Sequence, residues 1–210
     1  MSEHEKLRII QNLLEWCYSK ATAGGGLIKA AQDLGEEYLS SSNGNKEKAA
    51  NSLIGWSGTK AASSGFVTGF GGFLTLPVAI SADMAATYFI QLRMIAAIAH
   101  MGGHDVLGDR VKTLCFTCLL GQAGIDTFSK KIGIPVTEKL VTKMIQKVPG
   151  KMLIEINKAV GFRLLTKAGE KGIVNLTKMV PAVGALAGGG INYFATSATG
   201  KAAKKIFIID

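Results

Sequence analysis

The chain has 210 residues, of which 48% are hydrophobic and 19% are charged. This apolar content excludes an intrinsically disordered chain, and the length is enough for one domain with a substantial core. The 26 glycines show no three-residue period, which excludes a collagen-like chain. Three cysteines are too few for a disulfide framework and favour a reducing, cytoplasmic compartment.

The first 45 residues are predicted to form a helical extension. A capping-box pattern, Ser2 followed by Glu5, begins a helix whose apolar residues recur at helical spacing as far as Cys17. Three glycines at 24–26 end that helix, and a second short helix is expected over residues 27–39. The polar run at 40–45 is typical of a linker, so we expect an extension over 1–45 and a helical domain over 46–210.

Two windows of 22 residues, 61–82 and 179–200, carry no formal charge. Their length suits a membrane span, but glycine and proline interrupt both and sustained runs of large apolar residues are missing. Glycines spaced four apart, at 65 and 69 and at 184 and 188, allow two helix backbones to approach closely. We therefore expect glycine-rich helical hairpins that pack tightly or dip into a membrane face.

The remaining pattern is helical. An apolar helix is expected over residues 77–100, then helices over 109–122, 137–148 and 152–168, whereas only residues 206–209 could form a short strand. The predicted fold class is all-α: a compact multi-helix bundle with two glycine-rich apolar helical hairpins.

The positive charge is concentrated in one segment. Eleven basic and three acidic residues lie between positions 130 and 178, a surplus of eight out of the net charge of +9. Lysines on the flank of helix 137–148 are typical of a helix lying among lipid headgroups, and equally of a bundle helix with a basic edge. Phe162 is the one aromatic residue in the segment, which argues against nucleic acid as a partner. The predicted lipid- or anion-binding residues are Lys139, Lys143, Lys147 and Lys151.

A CxxC motif, Cys115 and Cys118, follows His100 and His104, and two cysteines with two histidines can complete a zinc shell. Glycines separate the two histidines, and the cysteines lie in an apolar helical run, so small buried cysteines are the preferred interpretation. No phosphate-binding loop or nucleophile motif is present. We therefore expect no metal and no cofactor, and we assign no catalytic residue.

Two charges on the most apolar helix, Asp83 and Arg93, lie about 15 Å apart along its axis, too far to pair with each other. Each needs another partner, because an unpaired buried charge is strongly unfavourable. Asp83 is predicted to pair with a cation and Arg93 with a carboxylate, as ion pairs that fix helix register. The candidate partners are Arg163, Lys167 and Lys171 for Asp83, and Glu170 and Asp105 for Arg93.

An ordered set of motifs resembles the EcsC family over about residues 50–208. These motifs lie at residues 68–72 (TGFGG), 76–77, 82–83, 90–96 (IQLRMIA), 105, 110–112, 161–172 (GFRLLTKAGEKG), 181–184, 200–201 and 204–205. The resemblance implies a bacterial protein whose namesake is encoded beside an ABC transporter linked to secretion, and it implies no defined activity. His100, Cys115 and Cys118 are not part of the family pattern. The candidates for a shared polar site are Asp83, Gln91, Arg93, Arg163, Lys167, Glu170 and Lys171.

These observations lead to a functional hypothesis. We expect a non-enzymatic helical protein, peripheral to the cytoplasmic face of the cell membrane, that contacts anionic lipid or an integral-membrane partner such as an ABC transporter. Two alternatives stay open. One is a membrane-surface hydrolase acting on lipid or peptide, with Asp83 and the polar residues of 163–171. The other is a membrane-inserting, toxin-like module.

Overall fold

The computed structural model describes residues 2–26, 28–62, 82–133, 146–168 and 189–208. Within these residues the chain forms eight α-helices and no β-strand, which confirms the predicted all-α bundle. The helices are α1 Glu3–Ala23, α2 Ala31–Ser41, α3 Lys46–Ala62, α4 Ala82–Met101, α5 Asp109–Cys118, α6 Gln122–Ile132, α7 Gly150–Ala168 and α8 Gly189–Phe207. Most of the two predicted glycine-rich hairpins lies outside the described residues.

Helix α1 begins at the predicted capping box. The Ser2 hydroxyl accepts a hydrogen bond from the Glu5 amide at 3.2 Å, and the Glu5 carboxylate accepts one from the Ser2 amide at 2.7 Å. Two amides that the helix leaves unpaired are thereby satisfied. The helix ends at Gly24, where φ is +65°, as the glycine run predicts.

Helix α4 is the centre of the bundle and packs against α1, α2, α3, α5 and α8. Met84–Met101 has a mean hydropathy of 1.2 and is 78% buried. Among the described residues it is the one stretch long and apolar enough to cross a membrane by length and composition. A helix that is apolar nearly all round must bury every face, and the neighbouring helices provide that burial.

Helices α3 and α8 pack closely because each has a glycine opposite a large side chain of the other. A Cβ atom on Gly58 of α3 would lie 2.7 Å from the ring of Tyr193, and one on Gly200 of α8 would lie 2.6 Å from Cγ1 of Ile54. Neither distance is possible for a real side chain without movement. Glycine at both positions therefore sets the separation of the two helices.

Two predicted elements are wrong. The helix expected over 109–122 is divided: α5 ends at Cys118, and α6 begins at Gln122 after Gly121, whose φ of +61° interrupts helical geometry. The strand expected over 206–209 is also contradicted, because Ile206 and Phe207 form the buried end of α8. Short apolar runs suit a strand or a buried helix equally, and packing decided between them here.

The segment before α7 is a turn at residues 146–148, where the sequence predicts the end of helix 137–148. The rest of that predicted helix, with Lys139 and Lys143, lies outside the described residues. A single hydrophobic core includes buried residues of all eight helices, from Ile10 of α1 to Phe207 of α8. The domain boundary at residue 45 stays a prediction.

Candidate membrane-contact surface

Helix α7 has two contrasting faces. Leu153, Ile156, Val160 and Leu164 form a buried stripe at helical spacing, and the helix packs against α1, α5 and α6. This stripe anchors α7 in the core. The opposite stripe is therefore turned to the solvent.

The solvent stripe of α7 exposes two large apolar side chains among cations. Ile154 is 57% exposed and Phe162 is 47% exposed, and they lie two turns apart, about 12 Å along the axis. Lys158 is exposed between them. An apolar stripe flanked by lysine and arginine is typical of a helix that lies at a lipid headgroup layer.

We call this surface the basic face. It consists of Lys151, Ile154, Lys158, Phe162 and Arg163 of α7 with Lys130 and Lys131 of α6. Within residues 130–133 and 146–168 there are seven basic residues and a single acidic one, Glu155. The Glu155 carboxylate lies 3.8 Å from the Lys131 ammonium. Because both groups are largely exposed, this pair is weak, and the face stays strongly positive.

A groove of about 430 Å³ lies between α6 and α7. It is lined by Thr127, Lys130, Lys131, Ala159, Phe162 and Arg163. The groove thus combines cations on both helices with one aromatic wall, and it can accept an anionic group that carries an apolar part.

Two of the four predicted anion-binding lysines belong to the described residues. Lys147 is exposed in the turn before α7, and Lys151 is exposed in the first turn of that helix. The prediction missed Ile154 and Phe162. Their spacing with Lys158 was visible in the sequence, but α7 has apolar residues on both faces, so the sequence alone does not say which stripe is buried.

Gln91, a candidate for the polar site, is buried between α4 and α8. Its side-chain amide donates a hydrogen bond to the Thr196 hydroxyl at 3.2 Å, and the Thr199 hydroxyl donates to the Thr196 carbonyl at 2.8 Å. The bond from Gln91 to Thr196 joins the two helices in one register, and the Thr199 bond satisfies a buried hydroxyl within α8.

Arg93 is directed toward the segment that precedes α2. Its Nε donates a hydrogen bond to the carbonyl oxygen of Lys29 at 2.9 Å. Burial lowers the pKa of Arg93, and the nearby Glu37 carboxylate opposes that shift. The predicted pairing with Asp105 is wrong, because the described residues show no ion pair between the two: Arg93 donates to Lys29, and Asp105 accepts a hydrogen bond from the Leu107 amide at 3.0 Å. Glu170, the other predicted partner, lies outside the described residues.

The polar-site candidates that are described do not come together. Gln91 bonds to α8, Arg93 bonds to the segment before α2, and Arg163 lines the groove between α6 and α7. Asp83 lies in the first turn of α4 and Lys167 in the last turn of α7, but the structure does not describe their side chains. Lys171 lies outside the described residues, so the predicted pairing of Asp83 with a cation stays a prediction.

The residues of the CxxC region contact different neighbours. Cys115 and Cys118 are free thiols in the core, and the Tyr18 hydroxyl lies 3.7 Å from the Cys115 sulfur while it donates to the Val106 carbonyl at 2.7 Å. His100 contacts the Glu36 carboxylate at 2.7 Å. Over the part of the chain that is described, no group of three or more His, Cys, Asp or Glu is placed to hold a metal ion.

Burial should make the thiols unreactive. It raises the pKa of Cys17 and of Cys115 to about 12 and also raises the pKa of Cys118. A shift of this size lowers the thiolate fraction at neutral pH about a thousandfold. We expect the three cysteines to react with dithiobis(nitrobenzoate) at least about a hundredfold more slowly in the native protein than in urea. Rapid labelling of one thiol in native protein would contradict this.

Of the comparisons with known proteins, one, with the profiles of protein families, finds a match. Searches of curated proteins and of solved structures find no match to this chain. The profile of the EcsC protein family matches residues 9–209, nearly the whole chain and all eight described helices in whole or in large part. The protein therefore belongs to the EcsC protein family.

Proposed function

We propose that the protein binds anionic membrane surfaces peripherally, at the cytoplasmic face of the cell membrane, through the basic face of α6 and α7. The observation that supports this most directly is the exposure of Ile154 and Phe162 among lysine and arginine on one stripe of α7. A stripe of this kind is unfavourable in water and suits the boundary between headgroups and acyl chains.

The energetic argument has two parts. Each lysine or arginine near an anionic membrane contributes about 1 kcal/mol, and the basic face has five such residues. Burial of a Phe or Ile side chain contributes roughly 1.5–3 kcal/mol relative to leaving it fully exposed. The positive charge attracts the protein to the membrane surface. The two apolar side chains add a contribution to the binding free energy that salt does not screen.

An integral-membrane partner belongs to the same proposal. The EcsC resemblance implies a secretion-linked ABC transporter, and a protein held at the membrane by its basic face would be positioned to meet one. The hydrolase alternative requires a cluster of polar groups around a reacting bond. Gln91, Arg93 and Arg163 contact different elements, so no described contact favours it.

Co-sedimentation with vesicles tests the proposal. We expect binding to phosphatidylcholine vesicles to be weak, to rise steeply when phosphatidylglycerol is included, and to fall as sodium chloride is added. A part of the binding should persist at high salt because of Ile154 and Phe162. Binding that responds neither to anionic lipid nor to salt would contradict the proposal.

A further inference from the structure

The directions of three helices determine where the chain enters and leaves the bundle. Gly58 of α3 contacts Tyr193 of α8, whereas Ile54, earlier in α3, contacts Gly200, later in α8. The two helices are therefore antiparallel. The carboxyl end of α3 lies beside the amino end of α8.

Helix α4 runs in the same direction as α8. Gln91 of α4 bonds to Thr196 of α8. About one turn later in both helices, Met94 of α4 contacts Gly200 of α8. The amino end of α4 consequently lies at the level of the amino end of α8. Three helix ends thus meet at one end of the bundle: the carboxyl end of α3 at residue 62 and the amino ends of α4 and α8 at 82 and 189.

Three exposed aromatic side chains of α3 and α8 lie near this end. Trp56 is 40% exposed about 9 Å before the end of α3, and Tyr193 and Phe194, each 37% exposed, lie about 6–8 Å into α8. The Lys60 ammonium lies 5.5 Å from the centre of the Trp56 ring. We call these four residues and the adjoining helix ends the aromatic end.

Both uncharged windows of the sequence meet the bundle at the aromatic end. Window 61–82 begins as α3 ends and finishes as α4 begins, and window 179–200 continues into α8 as far as Gly200. In the chain, 96 residues separate the two windows. Their meeting at one end of the fold is a property of the tertiary structure.

We propose that the aromatic end is seated in the interfacial layer of a lipid bilayer. Tryptophan and tyrosine favour that layer, since their rings are apolar and each has one polar group. The described ends of the two windows, at residues 61–62, 82 and 189–200, carry no formal charge, which avoids the high cost of a charge in hydrocarbon. This inference rests on the proposed membrane function and deepens it by adding a second lipid contact to that of the basic face.

Tryptophan fluorescence tests the inference, because the chain has two tryptophans. The variant Trp16→Phe keeps Trp56 as the single reporter, and Trp56→Phe keeps Trp16, which packs against the core from α1. Each is mixed with phosphatidylglycerol-containing vesicles whose acyl chains are brominated or unmodified, while sedimentation measures the bound fraction. We expect bromine to quench bound Trp56 and to shift its emission to the blue, with little effect on Trp16.

The outcomes separate this inference from the proposed function. Bound protein whose Trp56 is not quenched overturns the inference and leaves membrane binding intact, with a protein partner as the alternative occupant of the aromatic end. Protein that does not bind any of the vesicles overturns both.

A second pair of variants tests the same surface without a fluorescent reporter. Phe194→Ser should weaken vesicle binding about tenfold. The matched control is Leu107→Ser, since Leu107 is 71% exposed in the segment that follows the opposite end of α4. Equal effects of the two substitutions would overturn the inference.

Discussion

Replacing Lys158 and Arg163 together by glutamate is expected to lower the affinity for anionic vesicles about a thousandfold at low salt. The double substitution changes the charge of the basic face by four units, each worth about 1 kcal/mol near an anionic surface, and about 4 kcal/mol corresponds to a factor of that size. Both side chains are exposed, so the fold should persist. Sedimentation with phosphatidylglycerol-containing vesicles measures the affinity, and thermal unfolding checks the fold.

The control for this prediction is Lys20→Glu with Lys48→Glu, which changes the net charge equally at exposed positions of α1 and α3. If binding reflected only a general attraction between a basic protein and an anionic surface, both pairs of substitutions would weaken it equally. Binding through the basic face should be weakened far more by the substitutions in α7. Equal losses from the two pairs would show that net charge, and not this surface, determines binding.

The contact between Gly200 and Ile54 is expected to produce a large change in stability. A methyl group at position 200 would lie 2.6 Å from Cγ1 of Ile54 and 3.1 Å from Cε of Met94. Gly200→Ala should therefore lower the free energy of unfolding by about 2 kcal/mol, because α3 and α8 must move apart. Ile54→Ala, at a position that is 6% exposed, should lower it by about 3 kcal/mol.

The double variant is the decisive measurement. Removing the Ile54 side chain makes room for a methyl group at position 200, so the two losses should fall short of additivity by about 1 kcal/mol or more in urea denaturation. Gly55→Ala in α3 serves as the control, since nothing lies within 4 Å of its Cβ position, and it should increase stability by up to about 1 kcal/mol. Strict additivity would mean that the two helices are not in close contact at Gly200.

Several elements of the fold could be predicted from the sequence because their causes are local. The capping box of α1 depends on Ser2 and Glu5, three residues apart, and the burial of α4 follows from apolar residues on all its faces. The family could also be recognised from ordered motifs. These features need no knowledge of how distant parts of the chain pack.

The wrong predictions concern segments whose local sequence is compatible with two different structures. Residues 109–122 contain no proline, so the break at Gly121 became visible only through its backbone geometry. The apolar residues at 206–209 suit a strand or a helix, and packing in the core selected the helix for Ile206 and Phe207. Arg93 does not pair with Asp105, because the path of the chain before α2 brings the Lys29 carbonyl to its guanidinium, with the Glu37 carboxylate nearby.

The sequence by itself determined the helical character of the protein, the position of its basic segment and the uncharged nature of its two glycine-rich windows. Only the tertiary structure decided that Ile154 and Phe162 face the solvent, that Gln91 is a buried link and that the helix ends at residues 62, 82 and 189 lie at one end of the bundle. The physical reason is the sequence distance over which the deciding interactions act. Helix formation depends on hydrogen bonds and side-chain periods within a few residues, whereas the choice of exposed face depends on contacts between residues far apart in the chain.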